Sequence, residues 1–283
     1  MTKYLYFVLF SCLFYSCDII NPEEDIPAFI EIESFTLNAT PNTGSNDEDI
    51  TEGWIFVDNV LIGAFSPGKP FPVLAEGEVE VFVEAGIHEN GFSASTVVYP
   101  YYTRYSTTVQ LTPGEITTIN PEFQYRENID FFLIEEFENS TLFVEDIDGD
   151  LETSISFESG GSFDGLSGII TLTEENPSVN VATALDYILP SNSPNDTFLE
   201  ISFKTEAAIA IGLRAIDDFG GNFQLYANGL NTTPEWKKIY INLQEVILNN
   251  PASSYQVGFG AILPLGLSEA TIMVDNIKLL HFK

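Results

Sequence analysis

Alternation of apolar and polar residues recurs along this 283-residue chain and constrains its fold more than any other feature. Residues 30–33, 79–84 and 199–204 alternate in this way. A period of two predicts β-strands with one buried face. Turn-forming pairs such as Pro67-Gly68 separate the runs. Many short strands with such spacing favour antiparallel β-sandwiches.

A change of pattern at residues 125–130 predicts a boundary between two domains. The earlier strands fit a compact domain over residues 27–127, and the apolar run 131–134 begins a second one over residues 128–283. Because the connection is short and apolar, we expect the two domains to pack together. The predicted fold class is therefore all-β, with two tandem antiparallel β-sandwiches.

The first residues have the pattern of an export signal. Lys3 precedes an apolar run at residues 4–14, which is far shorter than the ~20 residues needed to cross a bilayer. Residues 1–16 therefore predict a cleavable signal peptide, and Cys17 becomes the lipid-carrying first residue of the mature chain. Cys12 is a rival lipidation site, but it leaves a shorter apolar run than the roughly 7–15 residues typical of such signals. An ordinary secreted protein is the remaining alternative.

The residues around Cys17 also indicate where the chain is delivered. Phe14 and Tyr15 are bulkier than a strict lipoprotein signal allows, and residues 17–26 form an acidic tether. This arrangement resembles the looser signal of Bacteroidota lipoproteins. The resemblance implies the outer membrane and, through the acidic tract, the cell surface.

The charge balance excludes several partners. The chain has 42 acidic and 10 basic residues, for a formal net charge of −32. Nucleic-acid binding needs Lys and Arg to neutralise phosphates, so we expect no nucleic-acid partner. An anionic membrane surface is excluded as a docking partner for the same reason, which leaves the N-terminal lipid as the membrane anchor. The only 2 cysteines both lie in the export segment, so the body contains no disulfide.

Three short segments characterise the second domain, namely residues 136–138, 235–239 and 274–279. Their order resembles that of the galactose-binding-like jelly roll of carbohydrate-binding modules, and the resemblance covers roughly residues 131–283. It implies a structural calcium ion held by Glu138 and Asp275, because hard oxygen ligands suit calcium. The alternative is that both are solvent-facing strand ends. A glycan would contact the concave face through residues such as Tyr226, Tyr240 and Arg214.

Six segments characterise the first domain, namely residues 26–30, 50–58, 61–64, 72–77, 85–87 and 99–102. They resemble a family of Bacteroidota surface lipoproteins of uncharacterised function, and the turns resemble those of a small immunoglobulin-like or PEGA-type sandwich. This resemblance implies an envelope location and no known chemistry.

The densest candidate contact surface is a group of tyrosines around one arginine. Tyr99, Tyr101, Tyr102 and Tyr105 surround Arg104. Amphipathic rings beside a guanidinium suit sugar stacking or a protein hot spot. Tyrosines also form strands well, so packing in a core is the alternative.

Catalysis has little support in the sequence. His88 and His281 are the only histidines and have no companions at metal-ligand spacing. Among 42 acidic residues, chance pairs of carboxylates are inevitable and carry no information. The alternating carboxylates of residues 146–150 lack the glycine and glutamate positions of an EF-hand loop, which favours a solvated turn.

These observations predict a non-catalytic, lipid-anchored outer-membrane lipoprotein that presents a binding surface. A protein partner in an envelope complex is favoured, and a carbohydrate-binding surface lipoprotein is the alternative. No cofactor is expected other than a structural calcium ion.

Overall fold

The computed structural model of the protein describes residues 25–159, 163, 165–190 and 197–283. The predicted signal peptide, Cys12, Cys17 and most of the acidic tether lie outside these residues. In the described ranges, no helix is long and apolar enough to cross a membrane. Apart from one short helix, the regular secondary structure of the described residues is β-strand, which confirms the predicted all-β class.

Short strands that follow the predicted alternation make up the first half. They are β1 (Ala28–Ile32), β2 (Thr36–Leu37), β3 (Glu52–Val57), β4 (Val60–Phe65), β5 (Phe71–Val73), β6 (Gly77–His88), β7 (Thr96–Val98), β8 (Tyr105–Leu111), β9 (Ile116–Ile119) and β10 (Glu122–Phe123).

Strand β6 organises this half. It pairs with β3, β7 and β8 in an antiparallel sheet that β4 completes. Val79, Val81 and Val83 face the core, whereas Glu78 and Glu80 face solvent. A three-stranded sheet of order β5-β1-β9 and the pair β10-β2 cover the other side. β1 pairs with β9, and β2 with β10, in parallel, which long connections allow and tight hairpins do not.

The second half begins at β11. Its elements are β11 (Ile129–Glu135), β12 (Glu145–Asp146), β13 (Ser156–Glu158), β14 (Ser167–Thr173), β15 (Ser178–Ala182), β16 (Phe198–Thr205), β17 (Ile209–Ile216), β18 (Asn222–Leu230), β19 (Thr233–Asn242), α1 (Gln244–Asn249), β20 (Ser254–Ile262) and β21 (Glu269–Phe282).

Two antiparallel sheets form a sandwich in this half. The six-stranded sheet has the order β13-β14-β21-β16-β19, with β11 also paired to β21, and the five-stranded sheet has the order β12-β15-β20-β17-β18. Inward side chains such as Ile201, Ile272, Leu213 and Val257 form one core between the sheets. The residues between them in sequence therefore lie on the two outer faces of the sandwich.

The outer face of the six-stranded sheet packs against the first half of the chain. Tyr99, Tyr101 and Tyr102 are 1%, 0% and 2% exposed. They belong to the same apolar cluster as Phe198 and Tyr240 from the second half. The prediction that these three tyrosines form an exposed contact surface is therefore wrong. The jelly-roll sheet supplies an apolar face that the tyrosine segment covers, so their rings are withdrawn from solvent.

A buried ionic network crosses this interface. Glu200 accepts hydrogen bonds from Tyr99 Oη at 2.6 Å and Tyr125 Oη at 2.9 Å, and forms an ion pair with Lys238 Nζ at 2.8 Å. Lys278 Nζ donates to Tyr125 Oη at 3.2 Å and to the Ser45 carbonyl at 3.0 Å. Every strong donor or acceptor in the network thus has a partner in the opposite half.

Loop 45–49 closes the network from the side of the first half. The Asp47 carboxylate lies 3.6 Å from Lys238 Nζ and also accepts a hydrogen bond from Ser202. The Asp49 backbone N–H donates to Tyr240 Oη at 3.0 Å. Lys238 therefore pairs with both carboxylates, which offsets part of the cost of burying these charges.

Burial and the neighbouring charges shift the pKa values of the ionisable groups in the network. Burial disfavours ionisation of Glu200, but Lys238 and Lys278 outweigh it and lower the pKa of Glu200. Burial, with the adjacent positive charge of Lys238, lowers the pKa of Lys278 to about 8. Burial and the Glu200 charge raise the pKa values of Tyr99 and Tyr125 well above the usual value.

Replacing Tyr101 with alanine tests the interface. Tyr101 packs against Phe198 and Phe282, and its hydroxyl donates to the Leu280 carbonyl at 3.1 Å. Because the ring is fully buried, we expect Tyr101→Ala to lower the free energy of unfolding by about 3–5 kcal/mol. The same change at the exposed Tyr226 should cost no more than about 0.5 kcal/mol. Chemical denaturation measures both, and equal effects would contradict this packing.

The network also predicts an unusual pH dependence of stability. Above pH 8 folded Lys278 has lost its proton, whereas the unfolded side chain keeps it up to its ordinary value of 10.5. The unfolded state then binds more protons, so stability rises with pH. Near pH 10 unfolded tyrosines begin to ionise while Tyr99, Tyr102, Tyr125 and Tyr240 do not, and stability falls again.

Denaturation at fixed ionic strength should show this rise between about pH 8 and 10. Lys278→Met removes the titrating group and should flatten that part of the profile. A profile that rises equally in the variant would assign the effect to other groups.

Candidate functional site

The outer face of the five-stranded sheet is the candidate binding surface. On β17 and β20, Leu213 and Val257 face the core, so their neighbours Arg214 and Gln256 face outward. Arg214 Nη1 donates to Gln256 Oε1 at 2.7 Å, which fixes the guanidinium across the two strands. Tyr226 on β18 lies on the same face and is 57% exposed.

Glycine and alanine residues form the central part of this face, here called its floor, which has almost no protruding side chains. Gly212 pairs with Gly258, and Ala210 pairs with Gly260, so the central strands carry almost no outward side chains here. A Cβ at Gly212 would lie 1.9 Å from the carbonyl oxygen of Leu225 at the bulge between β17 and β18. The close strand approach therefore requires glycine at this position.

Several polar atoms along this floor lack partners. Arg214 Nε, both amide atoms of Gln224 and Asn180 Oδ1 are shielded from water and have no hydrogen-bond partner among the described residues. Each such group costs roughly 1–3 kcal/mol when left unpaired. Arg214, Gln224 and Asn180 are themselves only half-buried, so side-chain rotation would bring these atoms to a ligand. A cluster of unpaired polar atoms of this kind needs a hydrogen-bonding partner from outside the chain, such as water or a ligand.

Gln224 lies across the glycine floor. Its Nε2 atom is 3.1 Å from where a Cβ of Gly258 would be, so the amide extends from β18 over β17 toward β20. A groove of about 530 Å³ lies beside it, with Tyr226, Asn180 and Gly260 in its wall. The groove thus combines the exposed ring of Tyr226, the unpaired amide oxygen of Asn180 and a flat floor, and Gln224 lies on the same sheet face outside its wall.

Asp148 closes one rim of this groove. It belongs to the turn at residues 146–150, in which Gly149 N–H donates to Asp146 Oδ1 at 2.9 Å and Asp150 N–H donates to Asp148 Oδ1 at 3.2 Å. Burial, together with the neighbouring carboxylates, raises the pKa of Asp148. The carboxylates therefore brace the turn, and Asp148 adds an acceptor at the edge of the groove.

Such a surface is suited to hydrogen bonding and stacking. Amides and a guanidinium bind hydroxyl groups, and an exposed phenol ring stacks on the apolar face of a sugar. Binding sites for small molecules and sugars use a small number of convergent polar groups to orient the ligand. This face offers such groups above a floor of small residues.

Two of the three jelly-roll residues singled out from the sequence, Arg214 and Tyr226, lie on this face. The third, Tyr240, is 1% exposed and lies in the interface between the halves, so its prediction as a glycan contact is wrong. Its Oη is 3.2 Å from Tyr102 Oη. Tyr240 lies on the outer face of the other sheet, which the first half covers.

Sequence reasoning missed Asn180, Gln224 and Gln256. The available signal was the alternation itself, because Gln224 and Tyr226 share one face of β18 while Gln256 precedes Gly258 and Gly260 on one face of β20. Glycines at alternate strand positions mark places where something approaches the backbone closely.

Arg104 and Tyr105 lie away from this face, on the sheet of the first half. Arg104 forms an ion pair with Glu84 at 3.5 Å, and its guanidinium lies over Phe56 and Phe82 with ring-centroid distances of 4.6 and 4.3 Å. Tyr105 is partly buried against the core of the first half. These partners occupy Arg104 within its own sheet and separate it from the buried tyrosines.

Glu138 and Asp275, the predicted calcium ligands, contact adjacent residues of one segment. Glu138 Oε1 accepts from Leu166 N–H at 3.0 Å, and Asp275 Oδ2 accepts from Ser167 Oγ at 3.0 Å. Asp275 is 1% exposed, which differs from a solvent-facing strand end. Both carboxylates therefore fasten the start of β14.

The described residues supply only part of a calcium site. Calcium takes about 6–8 oxygen ligands, and the described ranges contain no group of three or more acidic, histidine or cysteine side chains arranged to hold a metal. The two carboxylates alone do not complete the donor set. Calcium binding stays a prediction, and thermal melts with calcium and with chelator test it.

Comparison with known proteins gives only distant matches. No family profile and no curated protein matches the chain. A family 30 carbohydrate-binding module has 14% identity and a TM-score of 0.39, covering 54% of this chain and 89% of that one. The C-terminal family 22 carbohydrate-binding module of Clostridium thermocellum Xyn10B has 11% identity and a TM-score of 0.37, covering 54% and 95%.

A further match is the enzymatically active domain of tailspike protein 4 from bacteriophage CBA120. It has 13% identity and a TM-score of 0.36, and the match covers 51% of this chain and 20% of that one. Similarities this low carry no functional argument. The function is therefore argued from the residues described above.

Proposed function

We propose that this protein is a non-catalytic glycan-binding protein, and that a polysaccharide chain binds to the outer face of the five-stranded sheet. The unpaired polar atoms of Asn180, Arg214 and Gln224 beside the exposed Tyr226 ring are the observation that carries this proposal. Sugar hydroxyls would satisfy those atoms on binding. The ring of Tyr226 would contribute stacking, which needs no particular charge on the ligand.

This proposal reverses the order of the two functions that the sequence favoured. A protein partner was preferred because of the tyrosines around Arg104, and Tyr99, Tyr101 and Tyr102 are buried within the chain itself. Without them, the argument for an envelope scaffold rests on resemblance alone. The outer sheet face combines polar groups with an exposed aromatic ring, and this combination favours a glycan.

We retain the proposal that the mature chain is anchored to the outer membrane through a lipid on Cys17. The support is the sequence pattern at residues 1–17, which lies outside the described residues. In this arrangement the lipid holds the chain at the envelope while the sheet face binds a glycan.

Binding and stability measured together test the glycan site. Gln224→Leu removes two unpaired amide atoms, so we expect stability equal to or above wild type. Because it also removes the hydrogen-bonding group, binding should weaken by about tenfold or more. Tyr226→Ala should weaken binding similarly without unfolding the protein. Affinity electrophoresis in soluble xylan, galactomannan and hydroxyethyl cellulose measures retention.

Arg104→Ala is the matched control, since it alters an exposed arginine on the sheet of the first half. It should bind like wild type. Wild-type protein that is retarded by none of the three polymers, or variants at Gln224 and Tyr226 that bind normally, would contradict the proposed site.

The anchor has its own test. Cys17→Ala should abolish metabolic labelling with a fatty-acid analogue, because the acylated side chain is gone, whereas Cys12→Ala should still be labelled. The opposite pattern would assign the lipid to Cys12.

A further inference from the structure

A second cavity lies between the two halves of the chain and approaches the proposed glycan site. It measures about 750 Å³ and is lined from the first half by residues including His88 and Phe92, and from the second half by residues including Trp236. Gly229 lies in the wall of both this interdomain cleft and the groove on the sheet face. The two cavities therefore meet at the end of β18.

Strand β18 explains how one ligand can contact both cavities. It is the edge strand of the five-stranded sheet. Asn228 Nδ2 donates to the Asn90 carbonyl in the first half at 3.0 Å, so Asn228 faces the cleft. Gly229 is exposed, and a Cβ added there would meet nothing within 4 Å. The edge is therefore open at this point, with space for a chain to pass over it.

The cleft contains the side-chain types that bind sugar rings. Phe92 is 63% exposed, and Phe163 packs edge-on against Trp236 with ring centroids 5.5 Å apart. His88 and Lys237 add hydrogen-bonding groups to the same wall. Exposed rings next to polar side chains match the two faces of a sugar ring, one apolar and one carrying hydroxyls.

The loop that carries Phe92 is held in place before any ligand binds. Asn90 N–H donates to the Tyr240 carbonyl at 2.8 Å, and Asn90 Oδ1 accepts from Asn242 N–H at 2.9 Å. A Cβ at Gly91, whose φ is +73°, would lie 2.9 Å from Ile239 Cδ1. The loop is thus fitted closely to β19, and a preorganised loop loses less entropy on binding.

We infer that the glycan-binding site extends across both halves: a polysaccharide bound on the sheet face passes over Gly229 into the interdomain cleft, where Phe92 of the first half forms an additional subsite. This inference rests on the proposed function. Its distinctive consequence is dependence on chain length. A disaccharide fills only the sheet-face groove, whereas a hexasaccharide contacts both cavities.

Two variants of the full chain test the extension. Phe92→Ala removes the ring from the cleft, and Gly229→Tyr places a bulky side chain in the open space at the junction. Calorimetry with xylo-, manno- and cello-oligosaccharides of both lengths measures binding. We expect each variant to weaken hexasaccharide binding by about tenfold. Phe92 lines only the cleft, so Phe92→Ala should leave disaccharide binding unchanged. Phe219→Ala, at a ring 96% exposed that lines neither cavity, is the control.

The outcomes separate this inference from the proposal on which it rests. Wild-type hexasaccharide affinity in both Phe92→Ala and Gly229→Tyr, with loss of binding in Tyr226→Ala, would overturn the extension and keep the sheet-face site. Normal binding in Tyr226→Ala, or no sugar binding by wild type, would overturn the proposed function itself. Melting temperatures within error of wild type must accompany each variant, and a variant that fails this control is replaced by Phe92→Ser or Gly229→Phe.

Discussion

The buried carboxylate of Glu200 is the interaction on which the arrangement of the two halves depends. It accepts hydrogen bonds from Tyr99 and Tyr125 of the first half and pairs with Lys238 of the second. An ion pair out of water is weak evidence of net stabilisation, yet removing one partner leaves an uncompensated buried charge. Any other placement of the two halves would leave these charges unpaired in an apolar interface, so the network disfavours alternative placements.

This interface also determines which outer face of the sandwich remains exposed to solvent. The six-stranded sheet carries Glu200, Lys238 and Lys278 on its outer face, and the first half covers all three. The five-stranded sheet carries glycines, amides and one arginine on its outer face. Because one face is used for intramolecular packing, the proposed ligand binding falls to the other. The first half then serves two purposes, since it covers one sheet and brings Phe92 to the edge of the second.

Much of the fold was predictable because strand alternation is a local property. Val79, Val81 and Val83 alternate with polar residues in the sequence and point into a core as the period of two requires. Whether Tyr99 and Tyr101 are buried or exposed was not predictable in this way. An amphipathic ring fits either a surface or a core, and the choice depends on residues about a hundred positions away, such as Phe198 and Glu200. The predicted calcium ligands raise the same difficulty, since Asp275 is buried by a strand pairing that no local pattern reveals.

The charge of the molecule constrains the kind of glycan that the proposed site would bind. A formal net charge of −32 repels anionic polymers, although salt near 0.15 M screens that repulsion beyond about 8 Å. Within that range the sheet face offers a single cation, Arg214, which is already bonded to Gln256, and Asp148 lies at the rim. Uronic-acid polymers would meet more repulsion than attraction there. Neutral chains meet no such penalty, so the amides of Gln224 and Asn180, rather than charge, would decide which sugar the surface prefers.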